Sequence, residues 1–200
     1  MLTRQVLEAA RTRAEFLTLG VDLADWSRTN THAELVAIVD VNRGKPVQWT
    51  GKSYPVTWQE RTLVQETNLE SHLFTCRTDR VLVLGCHDLN VFSRRARANM
   101  KAGSRKYRRS KRMRQLTREF RPTMILHHPH STDSPRIWAT AWSVARELLP
   151  RKVGERRVWA SAIGYCNKDD EKPRGTLLDV LRATRCCAQQ VADICVRPEN

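Results

Sequence analysis

The chain has 200 residues, 40% apolar and 28% charged, with 35 Lys/Arg against 21 Asp/Glu and a net charge of +14. That length and balance suit one folded domain with a sizeable core, and no apolar run approaches the roughly 20 residues needed to span a bilayer. The charge is concentrated: residues 94–121 hold 13 Lys/Arg and one acid, Glu119, whereas the other 172 residues carry 22 bases and 20 acids and are close to neutral.

In chain order, Leu2, Val6, Ala9, Ala10, Phe16 and Leu17 make a loose helical stripe over residues 1–20, with Gly20 as its C-terminal stop. Arg4, Glu8, Arg11, Arg13 and Glu15 interrupt its apolar positions, so the stretch is expected to be a helix of the mature protein and not a signal peptide. Residues 35–39 form an apolar strand and residues 42–45 a turn. Val47 and Trp49 before residues 51–52, and Tyr54, Val56 and Trp58 after them, alternate with polar neighbours. An antiparallel meander is the expectation, with Pro46 and Pro55 confined to its edges because each removes a ladder donor. Residues 71–76 and 80–86 predict a hairpin turning at residues 77–79, and its second strand is apolar on both faces at 81–84, as a central strand would be.

Residues 93–104 read as a loop. Beyond it Met113, Leu116 and Phe120 fall at i, i+3 and i+7, which predicts a cationic amphipathic helix ending before Pro122. A second buried strand at 123–126 runs into a group of histidines. Ser134 and Pro135 then signal a helix start, and Ile137, Trp138, Ala141, Trp142, Ala145 and Leu148 line its inner face as far as Pro150. Residues 158–163 predict a strand, 167–174 a polar loop, and a last helix begins near Thr176. The expected fold class is α/β: a mixed β-sheet with an antiparallel N-terminal meander and helices packed on the sheet, a layered sandwich in one domain over 1–200 with a basic loop–helix insertion at about 94–121. The six cysteines show no C-x-x-C pair, so they are expected as buried thiols in a reducing, cytoplasmic setting, with no membrane partner.

The chemistry gathers at two strand ends. His87 and Asp88 leave one central strand, and His127, His128 and His130 leave the other; if the strands are parallel neighbours, these side chains share one crevice. Imidazoles and a carboxylate are the ligands that zinc or manganese uses, which makes Asp88, His127, His128 and His130 candidate metal ligands and His87, Asp88 and His128 candidate catalytic residues. Adjacent residues of an extended chain point to opposite faces, so at most one of His127 and His128 enters readily. Without metal, His87 or His128 is a candidate general acid/base. Residues 131–134 precede a helix whose free N–H groups suit a phosphate, although simple capping by Asp133 or Ser134 accounts for those side chains individually. Asn90, Ser93 and Arg94 stand near Asp88 in sequence only. Trp49 and Trp58 are stacking candidates, but alternating Trp in a hairpin is more commonly core. The basic residues Arg105, Lys106, Arg108, Arg109, Lys111, Arg112 and Arg114 are candidates to hold a nucleic-acid backbone.

From Asn68 to about Leu181 the chain resembles the second half of metallo-β-lactamase-fold hydrolases of the DNA-uptake (competence protein) type. Asn68-Leu69-Glu70-Ser71 stands where an Asn-x-x-Ser hairpin would open, Gly85-Cys86-His87-Asp88 where a Gly-Asp strand end would be, and His127-His128-Pro129-His130-Ser131 where His-His-Gly-Ser would be. The resemblance implies a bridging metal ligand at Asp88 and a terminal ligand at His127 or His128. The family's N-terminal His-x-His-x-Asp-His motif is absent, which implies an incomplete site or one completed by a second protein chain. The resulting expectation is a metal-assisted, nuclease- or phosphodiesterase-like hydrolase of nucleic acid. The alternative is a non-enzymatic nucleic-acid-binding subunit of a larger assembly, and a metal-free phosphatase or transferase using His87 as base is a third possibility.

Overall fold

Two apolar strands, each unable to face water on either side, organise a sheet apiece. The structure is a computed structural model and describes residues 4–25, 31–55, 60–129, 135–149 and 158–161. After helix α1 (Arg4–Arg11), β1 (Phe16–Asp25), β2 (Thr31–Asp40) and β3 (Lys45–Gly51) form an antiparallel sheet with β2 in the middle. β1 and β2 pair without interruption from Phe16 opposite Asp40 to Asp25 opposite Thr31. The β2–β3 turn uses Gly44 at φ 63°, and a bulge at Ile38/Val39 places Pro46 opposite Val39.

The second sheet contains β4 (Leu73–Cys76), β5 (Asp79–Leu84), β6 (Met124–His127) and β7 (Val158–Ser161) in that order. β4 and β5 are antiparallel; β5, β6 and β7 run parallel. Between β5 and β6 the chain makes a short 3-10 turn (Asp88–Phe92), α2 (Arg94–Ala98) and α3 (Arg105–Phe120); α4 (Pro135–Arg146) lies between β6 and β7. Strand alternation sorts the layers. Val81 and Val83 face Val36 and Ile38 of the first sheet, with Met124 and Leu126 beside them. Leu82, Leu84 and Ile125 point the other way, onto Leu89, Phe92, Met113, Leu116 and Trp142. The result is an α/β sandwich of sheet, sheet and helices.

Several expectations are met in detail. β5 is central, residues 42–45 turn, and α3 buries Met113 and Leu116 before ending at Arg121, which takes the left-handed conformation ahead of Pro122. Others are corrected. The helix expected over 1–20 stops at Arg11, because residues 16–25 pair along their whole length with β2; Gly20, expected as a helix stop, lies in that strand. The loop expected over 93–104 contains α2, started by Ser93 Oγ accepting from the Ala96 N–H. Tyr54 does not continue the meander, since its N–H turns to a side chain instead of a ladder. Trp49, expected in the core, stays 47% exposed across from Ala37. Val56 and Trp58, the loop at 167–174 and the helix from Thr176 lie outside the described residues. Among the described residues no helix is long and apolar enough to cross a membrane.

Leu82 has no exposed surface and faces the helix layer. Leu82→Ala is expected to cost about 2–5 kcal/mol of unfolding free energy, measured by urea denaturation; a loss near zero would mean that the helices do not pack on this sheet.

Candidate strand-end site and basic face

Parallel pairing sets Leu84 of β5 beside His127 of β6, and the His128 N–H extends the ladder to the Leu84 carbonyl at 2.9 Å. Residues 85–88 and 127–128 therefore leave the sheet at one edge, the arrangement the sequence required for a shared crevice. Alternation then divides the two histidines. His127 is buried in the helix layer, its Nε2–H donating to the Cys86 carbonyl at 2.9 Å and its ring edge-on to Trp142 at 5.9 Å between centroids. His128 faces the first sheet, with Nε2 2.8 Å from Thr18 Oγ1. Its ring lies over Gly20, where an added Cβ would be in ordinary van der Waals contact with Nδ1 at 3.6 Å.

Burial pushes His127 down to about 4 despite its hydrogen bond to the Cys86 carbonyl, and burial alone takes His128 to about 4. Both rings are neutral at physiological pH. His128 is thus poorly matched to the general acid/base role expected of it, which works best near the operating pH. His87 is half-buried at the N-cap position of the 3-10 turn, with no capping bond from its side chain.

Asp88 has no exposed surface. Its Oδ1 accepts from the Ser53 N–H at 2.9 Å, the Ser53 hydroxyl at 3.0 Å and the Tyr54 N–H at 2.8 Å, while Oδ2 accepts from the Gly85 N–H at 2.9 Å. Three donors converge on Oδ1, which saturates that oxygen, and one holds Oδ2. The close approach depends on Gly85, where a Cβ would stand 2.9 Å from Asp88 Oδ2 and 3.1 Å from the Lys52 backbone. Asp88, which the resemblance would make a bridging ligand, is committed here to joining the chain after β3 to the chain after β5. Among the described residues no three His, Cys, Asp or Glu side chains form a group able to hold a metal ion. His130 and residues 131–134 lie outside the described residues. Ser93 is spent as the α2 cap, and Asn90 offers its carbonyl to the Ser93 N–H within the 3-10 turn. Ser53 and Tyr54 were not singled out in the sequence, because backbone donors leave no mark on residue type.

The basic residues separate by helical face. Arg105, Arg108, Lys111 and Arg112 of α3 are exposed, as are Arg94, Arg95, Lys101, Arg118 and Arg121 around it. Lys106, Arg109 and Arg114 turn partly inward. Lys106 Nζ donates to the Pro55 carbonyl at 3.0 Å and lies 4.6 Å from the Tyr54 ring centroid. Arg109 donates to the Ser53 carbonyl at 3.1 Å and Gln65 Oε1 at 2.7 Å; Arg114 donates to the Val91 carbonyl at 3.1 Å. Three of the seven expected backbone-binding residues therefore pin α3 to the fold. Outside this set, Lys52 is fully buried with its ammonium 2.8 Å from Glu34 Oε1, and His32 Nε2 is 3.5 Å from the same oxygen.

Asp88→Asn replaces one acceptor oxygen with an NH₂ group facing an N–H donor, and is expected to cost roughly 2–4 kcal/mol in chemical unfolding, with zinc or manganese unable to restore it. Acid should also destabilise the protein. Between about pH 6.5 and 4 the unfolded histidines take up protons that the buried ones refuse, so stability is full above 6.5 and falls as pH drops to about 4. His127 alone contributes on the order of 3 kcal/mol to that fall. Urea midpoints from pH 7.5 to 4.5 test this, and His128→Asn is expected to flatten part of the slope.

No protein-family model matches the chain, and no curated protein matches it in sequence.

Proposed function

We propose that the chain binds nucleic acid along the outer face of α3 and serves as a binding subunit of a larger assembly. The supporting observation is that this face is not self-neutralised. Ordinary solvated helices interleave acids with bases at i, i+4; α3 has one acid, Glu119, which accepts from Gln115 at 2.7 Å. The exposed ion pair that Arg112 makes with Glu70 is 3.7 Å long and worth little. Arg105, Arg108, Lys111, Arg112 and Arg118 share this outer face over roughly 20 Å of helix, about the rise of six phosphates on one strand of B-form DNA.

A metal-assisted hydrolase built on Asp88 would have to draw on a carboxylate that is fully buried and already accepts four hydrogen bonds from the protein. Binding without turnover asks no such rearrangement of the fold, and is the reading that the geometry supports better.

Binding of duplex and single-stranded oligonucleotides, followed by anisotropy from 50 to 200 mM salt, tests the proposal. Affinity should fall steeply with salt, and removing one phosphate contact should reduce the log–log slope by about 0.7–0.9. Reversing Arg105, Arg108, Lys111 and Arg112 to Glu is expected to abolish binding, whereas His128→Ala should lower stability and leave affinity near wild type. Unchanged affinity after the charge reversal would overturn the proposal; turnover requiring zinc or manganese would favour the hydrolase.

A further inference from the structure

The first turns of α3 stand against the chain after β3 and enclose a cleft of about 100 Å³, whose walls include Tyr54, Pro55, Glu60, Arg105, Lys106 and Arg109. At about 30 Å³ of liquid volume per water, that is room for roughly three waters, enough for a phosphate group at the mouth of the cleft.

Three cations and one acid give the walls a net charge of +2. Their donors are only partly used. Arg109 spends Nη1 on the Ser53 carbonyl and Gln65, and among the described residues its Nε and Nη2 make no hydrogen bond. Lys106 has the Pro55 carbonyl at 3.0 Å and Glu60 Oε1 at 3.7 Å, leaving a third ammonium proton. Arg105 is exposed and, among the described residues, makes neither a hydrogen bond nor an ion pair. Burial, and after it the charge of Arg105, pull the Arg109 guanidinium below its ordinary value, and the charges of Asp88 and Glu66 offset this only in part.

We infer that this cleft seats the terminal phosphate of a nucleic-acid strand lying on the outer face of α3. The inference rests on the nucleic-acid reading above. A terminal phosphomonoester carries about −1.5 to −2 at pH 7 and three acceptor oxygens, which suits a wall of net +2. An internal phosphodiester has a single negative charge and a sugar on each side, so it suits an open face better than a cleft closed on one side by Tyr54 and Pro55. Glu60 tunes the site by drawing on the Lys106 ammonium, which stays anchored on the Pro55 carbonyl and turns its remaining proton to the phosphate.

The test compares binding of length-matched single strands ending in hydroxyl, 5′-phosphate or 3′-phosphate, at one salt concentration. One phosphorylated end is expected to bind roughly tenfold tighter than the hydroxyl strand. Arg105→Gln, at an exposed position that leaves the fold intact, should bring that ratio close to one. Glu60→Gln should raise it by freeing Lys106. Ratios near one for both phosphorylated ends in the wild-type protein, with hydroxyl strands still bound, overturn the inference and leave the binding proposal standing. Loss of binding to every strand overturns both. If a nucleoside monophosphate binds as tightly as the phosphorylated strand, the cleft takes a free nucleotide and the strand-end assignment fails.

Discussion

The Asp88 carboxylate holds together parts of the fold that are far apart in sequence. A buried carboxylate is tolerated only where its charge is met by donors, and here three come from Ser53 and Tyr54 and one from Gly85. Ser53 and Tyr54 follow the last strand of the antiparallel sheet, while Gly85 and Asp88 follow the central strand of the mixed one. The same short segment is gripped from its other side, since the Ser53 and Pro55 carbonyls accept from Arg109 and Lys106. The Ser53 and Tyr54 N–H groups turn to a carboxylate and the Ser53 and Pro55 carbonyls to cations, so these four backbone groups meet the opposite charge. α3 is fixed through this segment as well as through Met113 and Leu116.

That brace decides what the basic segment can do. A helix with 13 bases around it would repel itself as a free arm and adopt no fixed face. Three of those bases are drawn inward to carbonyl and amide oxygens, which orients the helix and leaves Arg105, Arg108, Lys111 and Arg112 pointing outward together. The inward cations also carry positive charge into the cleft by Tyr54, where it is partly desolvated and therefore less screened. The outer face is thus left to solvent, while the inward cations both brace the helix and line the cleft.

The histidines show how strand alternation separates neighbours. His127 and His128 are adjacent, yet one lies among the helices beside Trp142 and the other against Thr18 of the opposite sheet. Each is neutral because burial disfavours its charge, and each uses Nε2 in a hydrogen bond that bridges strand ends or layers. They behave as polar struts in the core. The buried Lys52–Glu34 pair is a related feature of the first sheet, a 2.8 Å ionic contact of the kind for which desolvation opposes the mutual attraction.

The sequence by itself determined the elements whose side-chain period is strong: the apolar strands β2, β5 and β6, the turn at Gly44, the amphipathic α3 with its stop at Pro122, and the concentration of charge on that segment. Periodicity and turn chemistry are local, so residue types record them. It also placed the two strand ends at one edge, on the condition that β5 and β6 run parallel, and they do. Only the tertiary structure decided the rest. Residues 16–25 became a strand because β2 offered ten paired positions, outweighing a weak helical stripe. Asp88 became a brace because the N–H groups of Ser53 and Tyr54, some 35 residues away, came within hydrogen-bonding distance, and every residue but proline has that donor. Which bases face water and which face carbonyls was likewise settled by the segment packed against α3, a long-range contact that charge and spacing do not encode.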